Sequence, residues 1–556
     1  MIPVEMFFRL VPKRYGDRTY QYLQLVESYR DGGRARQRVV QSFGNVAHLS
    51  DRERQGLLRS LTRALGLAAE GMPHDEPLTA LDTRRYADLW ALRSLWNDLE
   101  LPATLRRLAQ PRAIEFDLEL IAFLMVAHRL VDPGSKLALT RWLPDVFLDG
   151  PDLEAIQVQH CYRALDVLAD LRWEVEEALF LRLSDLFQRE LSLVFYDLTS
   201  TYFEGDGPSE AAYGYSRDRR GDQKQIVLAL AVDRRGLPIT HLVFPGNRVD
   251  HQTLEEAIGH LRERFTLERA IFVADGGVMT DANVERLAAS PYRHLIALPR
   301  RRALARELAA GIEGTMDDVV GENVMGRRIT RGAHTYLVCY NPERAEQEAQ
   351  IRQRRLDQAA QALEDLQRQV ADGRLTAHDD IVAAAATILA TSRTRKYFRV
   401  HSASEGHFEF ERRRDVLAQA TALEGYYCLQ TDAPDLDPAA MLGAYKTLQQ
   451  VEHAFRELKD TLELRPIYHY ADTRVRGPVF VCVLAYLLER LLELRLQDAG
   501  LPQSATTALE TLAPIRVVRN QLGDRTLTCV VQRRPPGADA ILNALGLNPL
   551  PVVLTA

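Results

Sequence analysis

Apolar and polar positions alternate through YLQLVESY and again through RARQRVVQSFG, on either side of Asp31-Gly32-Gly33, within Tyr20–Val46. That period of two around a glycine turn predicts a β-hairpin with basic residues on one strand. From Thr83 to about Glu190 the spacing becomes helical, as in ADLWALRSLWNDL and LELIAFLMVAHRLV, with breaks at Pro102, Pro133-Gly134 and Gly150-Pro151. At Leu191 the pattern changes again. LSLVFYDLTSTYF, QIVLALAVDRRGLP and ITHLVFPGN read as three strands, followed by a helix over Asp250–Phe265. The strand AIFVADGG, a short helix after Met279 and the strand HLIALPR complete an alternation that predicts a mixed α/β sheet.

Arg301 to about Glu424 interrupts that sheet. Its Glu343–Arg374 stretch is a highly charged helix with apolar residues too sparse for a long coiled coil, and KYFRVHS and HFEFERR read as short strands. GYYCLQT re-enters the sheet, and the chain is helical from Pro438 to Asp498. The expected organisation is a hairpin region over 1–82 with possible DNA contact and a helical region over 83–190 that either binds DNA ends or docks. A first core part follows over 191–300, then an insertion over 301–424, a second core part over 425–500 and a helical tail over 501–556.

At 556 residues the chain suits three or four packed units. Its 46% hydrophobic and 26% charged residues fit a globular protein. A net charge of −6 does not mark a nucleic-acid binder on average. Locally, Met1–Leu65 carries twelve Lys and Arg against six Asp and Glu, either a DNA surface or a solvated charged face. Cys161, Cys339, Cys428, Cys482 and Cys529 are scattered without a CxxC pair, which argues against a zinc ribbon or disulfide framework and fits a reducing cytoplasm. No signal peptide is visible, and the most apolar stretch, Val479–Leu488, is too short to span a membrane and reads as a buried helix.

Asp197 follows LSLVFY and Asp275 follows AIFVA, so both carboxylates stand at the ends of apolar strands, where open α/β sheets bind ligands. A lone aspartate there is more often a turn former. A third acid comes from helical spacing. Val451, Phe455, Leu458 and Leu462 form an apolar stripe, and Tyr445, Glu452 and Lys459, seven apart, share a face beside it. Glu457 falls elsewhere, as a solvated neighbour of His453 and Thr461.

FYDLTSTYFEG, GYSRDRRGDQKQ, VADGG and YKTLQQVEHAFRELK together resemble bacterial insertion-sequence transposases of the DDE class, in the subgroup marked by Tyr-x2-Arg-x3-Glu-x6-Lys. The similarity runs from about Leu191 to Leu496. It implies an RNase H-like core, with Asp197, Asp275 and Glu452 as metal carboxylates and Tyr445 and Lys459 on DNA-end phosphates. Leu448 stands at the arginine position and cannot make a bidentate phosphate contact, which Arg456 would have to replace. Arg217, Arg220 and Lys224, with Arg219, form a loop expected on the phosphate backbone, a charged turn being the alternative. The expected enzyme uses two Mg²⁺ ions, with Mn²⁺ able to substitute, to cleave and transfer DNA strands. Its expected partners are double-stranded DNA, as terminal inverted repeats and target, and a second copy in a synaptic complex. A cytoplasmic, nucleoid-associated location without membrane follows. An RNase H-like nuclease without end joining, or a non-catalytic DNA-binding derivative, are the competing readings.

Overall fold

The computed structural model describes residues 5–15, 18–31, 34–64, 79–187, 193–249, 252–265, 270–275, 281–288, 290–299, 302–312, 316, 318–402, 405–468, 471, 473–522 and 525–554. It divides into two compact units, Met1–Leu78 and Thr79–Ala556.

The first unit is an antiparallel sheet of β1 (Glu5–Tyr15), β2 (Arg18–Asp31) and β3 (Arg34–Asn45) in that order, followed by α1 (Asp51–Ala64). The expected hairpin is β2–β3, its Gly32 and Gly33 lying outside the described residues. The strand β1 was not expected, because Pro12 and three cations break the alternation of EMFFRLVPKRY. Proline is tolerated there because β1 is an edge strand, where a missing ladder donor matters least. α1 starts at a capping box: Ser50 donates its backbone N–H to Glu53 Oε2 at 2.7 Å, and Glu53 returns its own to Ser50 Oγ at 3.4 Å.

The second unit opens with β4 (Thr79–Arg85) and the helices α2 (Ala87–Asp98), α3 (Leu101–Ala109), α4 (Leu118–Val131), α5 (Lys136–Trp142) and α6 (Val158–Phe187). Pro102 starts a helix, sitting in the first turn of α3 where its missing N–H leaves no helical bond unmade. α4 is buried on every side from Leu118 to His128, as its almost continuous apolar sequence requires.

The main sheet contains β5 (Leu193–Tyr202), β6 (Gln225–Val232), β7 (Pro238–Pro245), β8 (Ile271–Asp275) and β9 (Arg293–Leu298). The helices α7 (Thr253–Phe265), α8 (Asp281–Ala288) and α9 (Ala303–Ala310) lie between or after these strands. β10 (Asp318–Gly321), β11 (Val324–Arg331) and β12 (His334–Tyr340) follow, and then an excursion of α10 (Pro342–Ala371), α11 (His378–Thr391), β13 (Phe398–His401), β14 (Glu409–Arg412) and α12 (Arg414–Ala422). The chain returns through β15 (Tyr426–Thr431) to α13 (Pro438–Thr447), α14 (Gln449–Arg456) and α15 (Thr473–Asp498).

Strand order is β10-β11-β12-β15-β9-β8-β5-β6-β7, with β5–β8 and β8–β9 parallel and the other pairs antiparallel. This is the expected mixed sheet, with one difference. β10–β12 extend it, so of the stretch 301–424 only residues from Pro342 onward form an excursion, built on its own small core of Leu356, Leu363, Ile381, Leu389 and Phe398. β11 is half-exposed and rich in arginine, which hides its membership from a hydrophobic pattern.

The tail also differs from expectation. Beside α16 (Ala505–Leu512) and α17 (Ala538–Ala544) it contains β16 (Arg516–Leu522), β17 (Arg525–Val530) and β18 (Val553–Leu554). These join β4 in a sheet ordered β18-β17-β16-β4. A partner so distant in sequence leaves no local signal.

One core runs from α2–α6 through α13–α17 onto one face of the main sheet. The other face, with Val194, Tyr196 and Leu198, packs on Leu254, Leu261 and Leu287 of α7 and α8. α6 and α15 cross closely at Gly477, where a Cβ would meet the carbonyl oxygen of Leu165 at 2.5 Å. Val479–Leu488 is buried in α15 as expected, and among the described residues no helix is long and apolar enough to cross a membrane. All five cysteines are free.

Candidate active site

Alternation along β5 sorts its side chains between two cores. Phe195 packs on the helical face, and Val194, Tyr196 and Leu198 on the other. Asp197, two residues from Phe195, therefore belongs to the face covered by α13–α15, where it is half-buried. On β8, Val273 belongs to that same core and Phe272 and Ala274 to the opposite one. β5 and β8 run parallel with Phe195 opposite Val273. That is the last pair between the two strands, and Asp197 and Asp275 each lie two residues beyond it. The side chain of Asp275 and residues 276–280 lie outside the described set.

Glu452 comes from above that face. Val451, Ala454, Phe455 and Leu458 are buried in the core that holds Phe195, Leu228 and Leu230, which seats α14 over β5 and β6. Glu452, in the first turn of α14, is exposed beside this stripe. Among the described residues no three His, Cys, Asp or Glu side chains form a group able to hold a metal, and Asp275 is not among those side chains. By chemistry alone, aspartate and glutamate offer only oxygen donors, the kind a hard divalent cation takes.

The helix carrying Glu452 is not uniform. It breaks at Leu448 between α13 and α14, and residues Glu457–Thr461 widen into a π-turn. Both features upset the seven-residue spacing that placed Tyr445, Glu452 and Lys459 on one face. Tyr445 is half-buried, its ring 5.8 Å from that of Tyr427. Lys459 is only 7% exposed, and its Nζ lies 2.7 Å from Asp218 Oδ1. Arg465 Nη1 donates to the same oxygen at 2.6 Å. Burial lowers the Lys459 pKa, and the Asp218 carboxylate opposes that shift.

Leu448 is 6% exposed, inside the core. An arginine there would bury an unpaired charge. Leu448→Arg is therefore expected to cost about 3 kcal/mol or more of stability. A thermal melt unchanged by this substitution, with tighter DNA-end binding, would show the position to be accessible to DNA instead.

The loop GYSRDRRGDQKQ lies against β5: the Arg217 backbone N–H donates to Ser200 Oγ at 2.9 Å, three residues beyond Asp197. Gly214 makes this fit possible, since a Cβ would meet the carbonyl oxygen of Gly246 at 2.1 Å. Arg217 is half-buried, Arg220 pairs with Asp222 at 3.0 Å, and Lys224 lies 3.8 Å from Asp206. Arg456 is exposed at the end of α14.

Two residues escaped the sequence reading. Asp218, between two arginines, gave no sign that it would bind Lys459 in the π-turn after α14. Glu489 on α15 is 4% exposed, and burial beside Glu457 and Glu493 pushes its carboxyl up to about 8. Glu457 is correspondingly not the solvated residue expected. Its side chain is 16% exposed, 3.6 Å from His453 and hydrogen-bonded with Glu489. A carboxyl whose folded pKa lies above its unfolded value near 4.5 contributes stability that is full below pH 4.5 and fades as pH rises to about 8. At 1.36 kcal/mol per unit the loss is about 3–5 kcal/mol. Glu489→Gln, which stays neutral, is expected to melt at nearly constant temperature between pH 5.5 and 8.5 while the parent falls. Parallel melting curves would remove this role from Glu489.

Comparison with known proteins adds a family. The sequence model described as IS1634 family transposase, N-terminal domain, matches residues 8–71. The one described as Transposase DDE domain matches residues 188–488, more than half of the chain. No curated protein matches. A solved structure, "Mos1 transposase paired-end complex with left transposon end", is 15% identical over 45% of this chain and 68% of its own, with a TM-score of 0.15. With the DDE model running from before β5 to beyond the glutamate-bearing helix, the chain belongs to the DDE-domain transposases and is a DNA transposase.

Proposed function

We propose that the chain cleaves and transfers DNA strands at the ends of an insertion sequence, with Asp197, Asp275 and Glu452 holding the divalent metal that DDE domains use. The observation that supports this most is that Asp197 and Asp275 each lie two residues beyond the last parallel pair of β5 and β8, with α14 packed over β5. Mg²⁺ is the proposed ion, as a pair, with Mn²⁺ able to replace it. Bound there, the ions would activate the attacking oxygen and stabilise the leaving one in an in-line displacement.

The chain itself supplies rigidity. Asp197 is held by the β5–β6 pairing and the helix carrying Glu452 by the buried stripe of α14. Water as attacking group gives cleavage, and the released 3′-OH gives joining, so no tyrosine need act as a covalent nucleophile. Terminal inverted repeats and target DNA are the proposed substrates, held by two copies of the chain in the cytoplasm. Arg217, Arg456 and Tyr445 are proposed DNA contacts. Lys459, Arg220 and Lys224 would reach phosphate by exchanging their present acid partners.

The test is a reaction containing Mg²⁺, a labelled duplex ending in the element's inverted repeat and a plasmid target. Protease-resistant joining of the label to the plasmid is expected. Nicking without joining would favour a nuclease, and binding without either a non-catalytic derivative.

A further inference from the structure

Most cations near the candidate site already have acid partners, so the positive charge that a DNA-handling chain needs must stand elsewhere too. It stands on the excursion between β12 and β15. Arg393, Arg395 and Lys396 lie between α11 and β13, and Arg414 opens α12. All four are exposed, and among the described residues none forms an ion pair. They are gathered rather than scattered, because the Arg413 backbone N–H donates to the Tyr397 carbonyl at 2.8 Å and so ties the start of α12 to the turn carrying Arg395 and Lys396. Two nearby acids are compensated, Glu411 at 2.8 Å from Arg399 and Asp415 at 3.5 Å from Arg413. Lys396 Nζ also sits 4.7 Å from the centre of the half-buried Tyr397 ring, which holds the ammonium at the surface.

The patch is carried outward. Arg412, at its border, reaches Asp357 on α10. From Asn341, where α10 leaves the sheet, to Asp357 is roughly 24 Å of helix at 1.5 Å per residue. We infer that this cluster of Arg393, Arg395, Lys396 and Arg414 is a second DNA-binding surface, which grips the phosphate backbone of duplex outside the cleavage point without reading its sequence. The inference rests on the chain's being a DNA transposase but not on the assignment of its carboxylates.

Compact, unpaired and uniform in sign, the patch suits counterion release from a polyanion and offers no fork of acceptors and donors for base edges. The test is equilibrium binding of a random-sequence duplex and of an inverted-repeat duplex, without metal, by the full chain and by the triple variant Arg395→Ala, Lys396→Ala, Arg414→Ala. Each phosphate contact contributes about 0.9 to the salt slope, so the slope is expected to fall by about 2.7 on both duplexes. Between 50 and 200 mM salt the variant would then lose about 40-fold less affinity than the parent. All three side chains are exposed, so the melting temperature should not move. Unchanged slopes on both duplexes would overturn the inference, as would a change in self-association at equal slope, which would mark the patch as a protein contact. Because no cleavage is measured, failure here leaves the proposed active site standing, and failure of cleavage leaves the patch standing.

Discussion

Asp197→Asn, Asp275→Asn and Glu452→Gln are each expected to lower cleavage of an element end by about 10³-fold or more, with folding and end binding retained. The size follows from what a carboxylate does at such a site. Losing one ligand weakens or misplaces a cation that stabilises developing charge by several kcal/mol, and each 1.36 kcal/mol is a factor of ten in rate. The three substitutions keep shape and remove charge, and two of the sites have structural reasons to tolerate this. Asp197 is half-buried rather than sealed in a core, and Glu452 is exposed. Loss in all three with equal melting temperatures would support a single site. Near-parental cleavage by Glu452→Gln would separate the helix from the two strands and return Glu452 to an ordinary surface role.

The second large effect is expected in stability. Asp218→Ala should cost about 3–5 kcal/mol, because it leaves Lys459 as a buried cation without its partner. Arg465 is 28% exposed and can turn to water, and it also pairs with Asp460, so the damage falls on Lys459. Replacing both members, Asp218→Leu with Lys459→Met, should recover most of the loss, since a buried pair is often no better than apolar side chains of similar size. If Asp218→Ala melts like the parent, Lys459 is free enough in solution to serve phosphate directly. Thermal unfolding of the three proteins decides between a structural clamp and a DNA contact.

What could be read from the sequence followed from periodicity backed by burial. The strands around Asp197 and Asp275 are apolar because both of their faces are covered, and the stripe Val451, Phe455, Leu458 and Leu462 is buried throughout. Readings that depended on a regular helix fared differently. Seven-residue spacing holds only where turns keep one width, and the break at Leu448 and the π-turn at Glu457–Thr461 move Lys459 into the protein. Features set by distant partners were not legible. β4 pairs with β16, and β12 lies beside β15 only after the whole excursion has left and returned. Charge pairing was not legible either. Arg220, Lys224 and Lys459 each have an acid beside them in three dimensions that their sequence neighbourhood does not announce. The four unpaired cations on the excursion gave no motif at all.

The central claim is that residues far apart in sequence share one divalent-metal site. Replacing Mg²⁺ with Fe²⁺ and adding ascorbate and peroxide generates hydroxyl radicals at the bound ion, which cut the polypeptide next to its ligands. Fragments ending near 197, 275 and 452 are expected together, and all three cuts should fade when excess Mg²⁺ competes. Cuts at 197 and 275 without one near 452, or a pattern indifferent to Mg²⁺, would contradict the shared site.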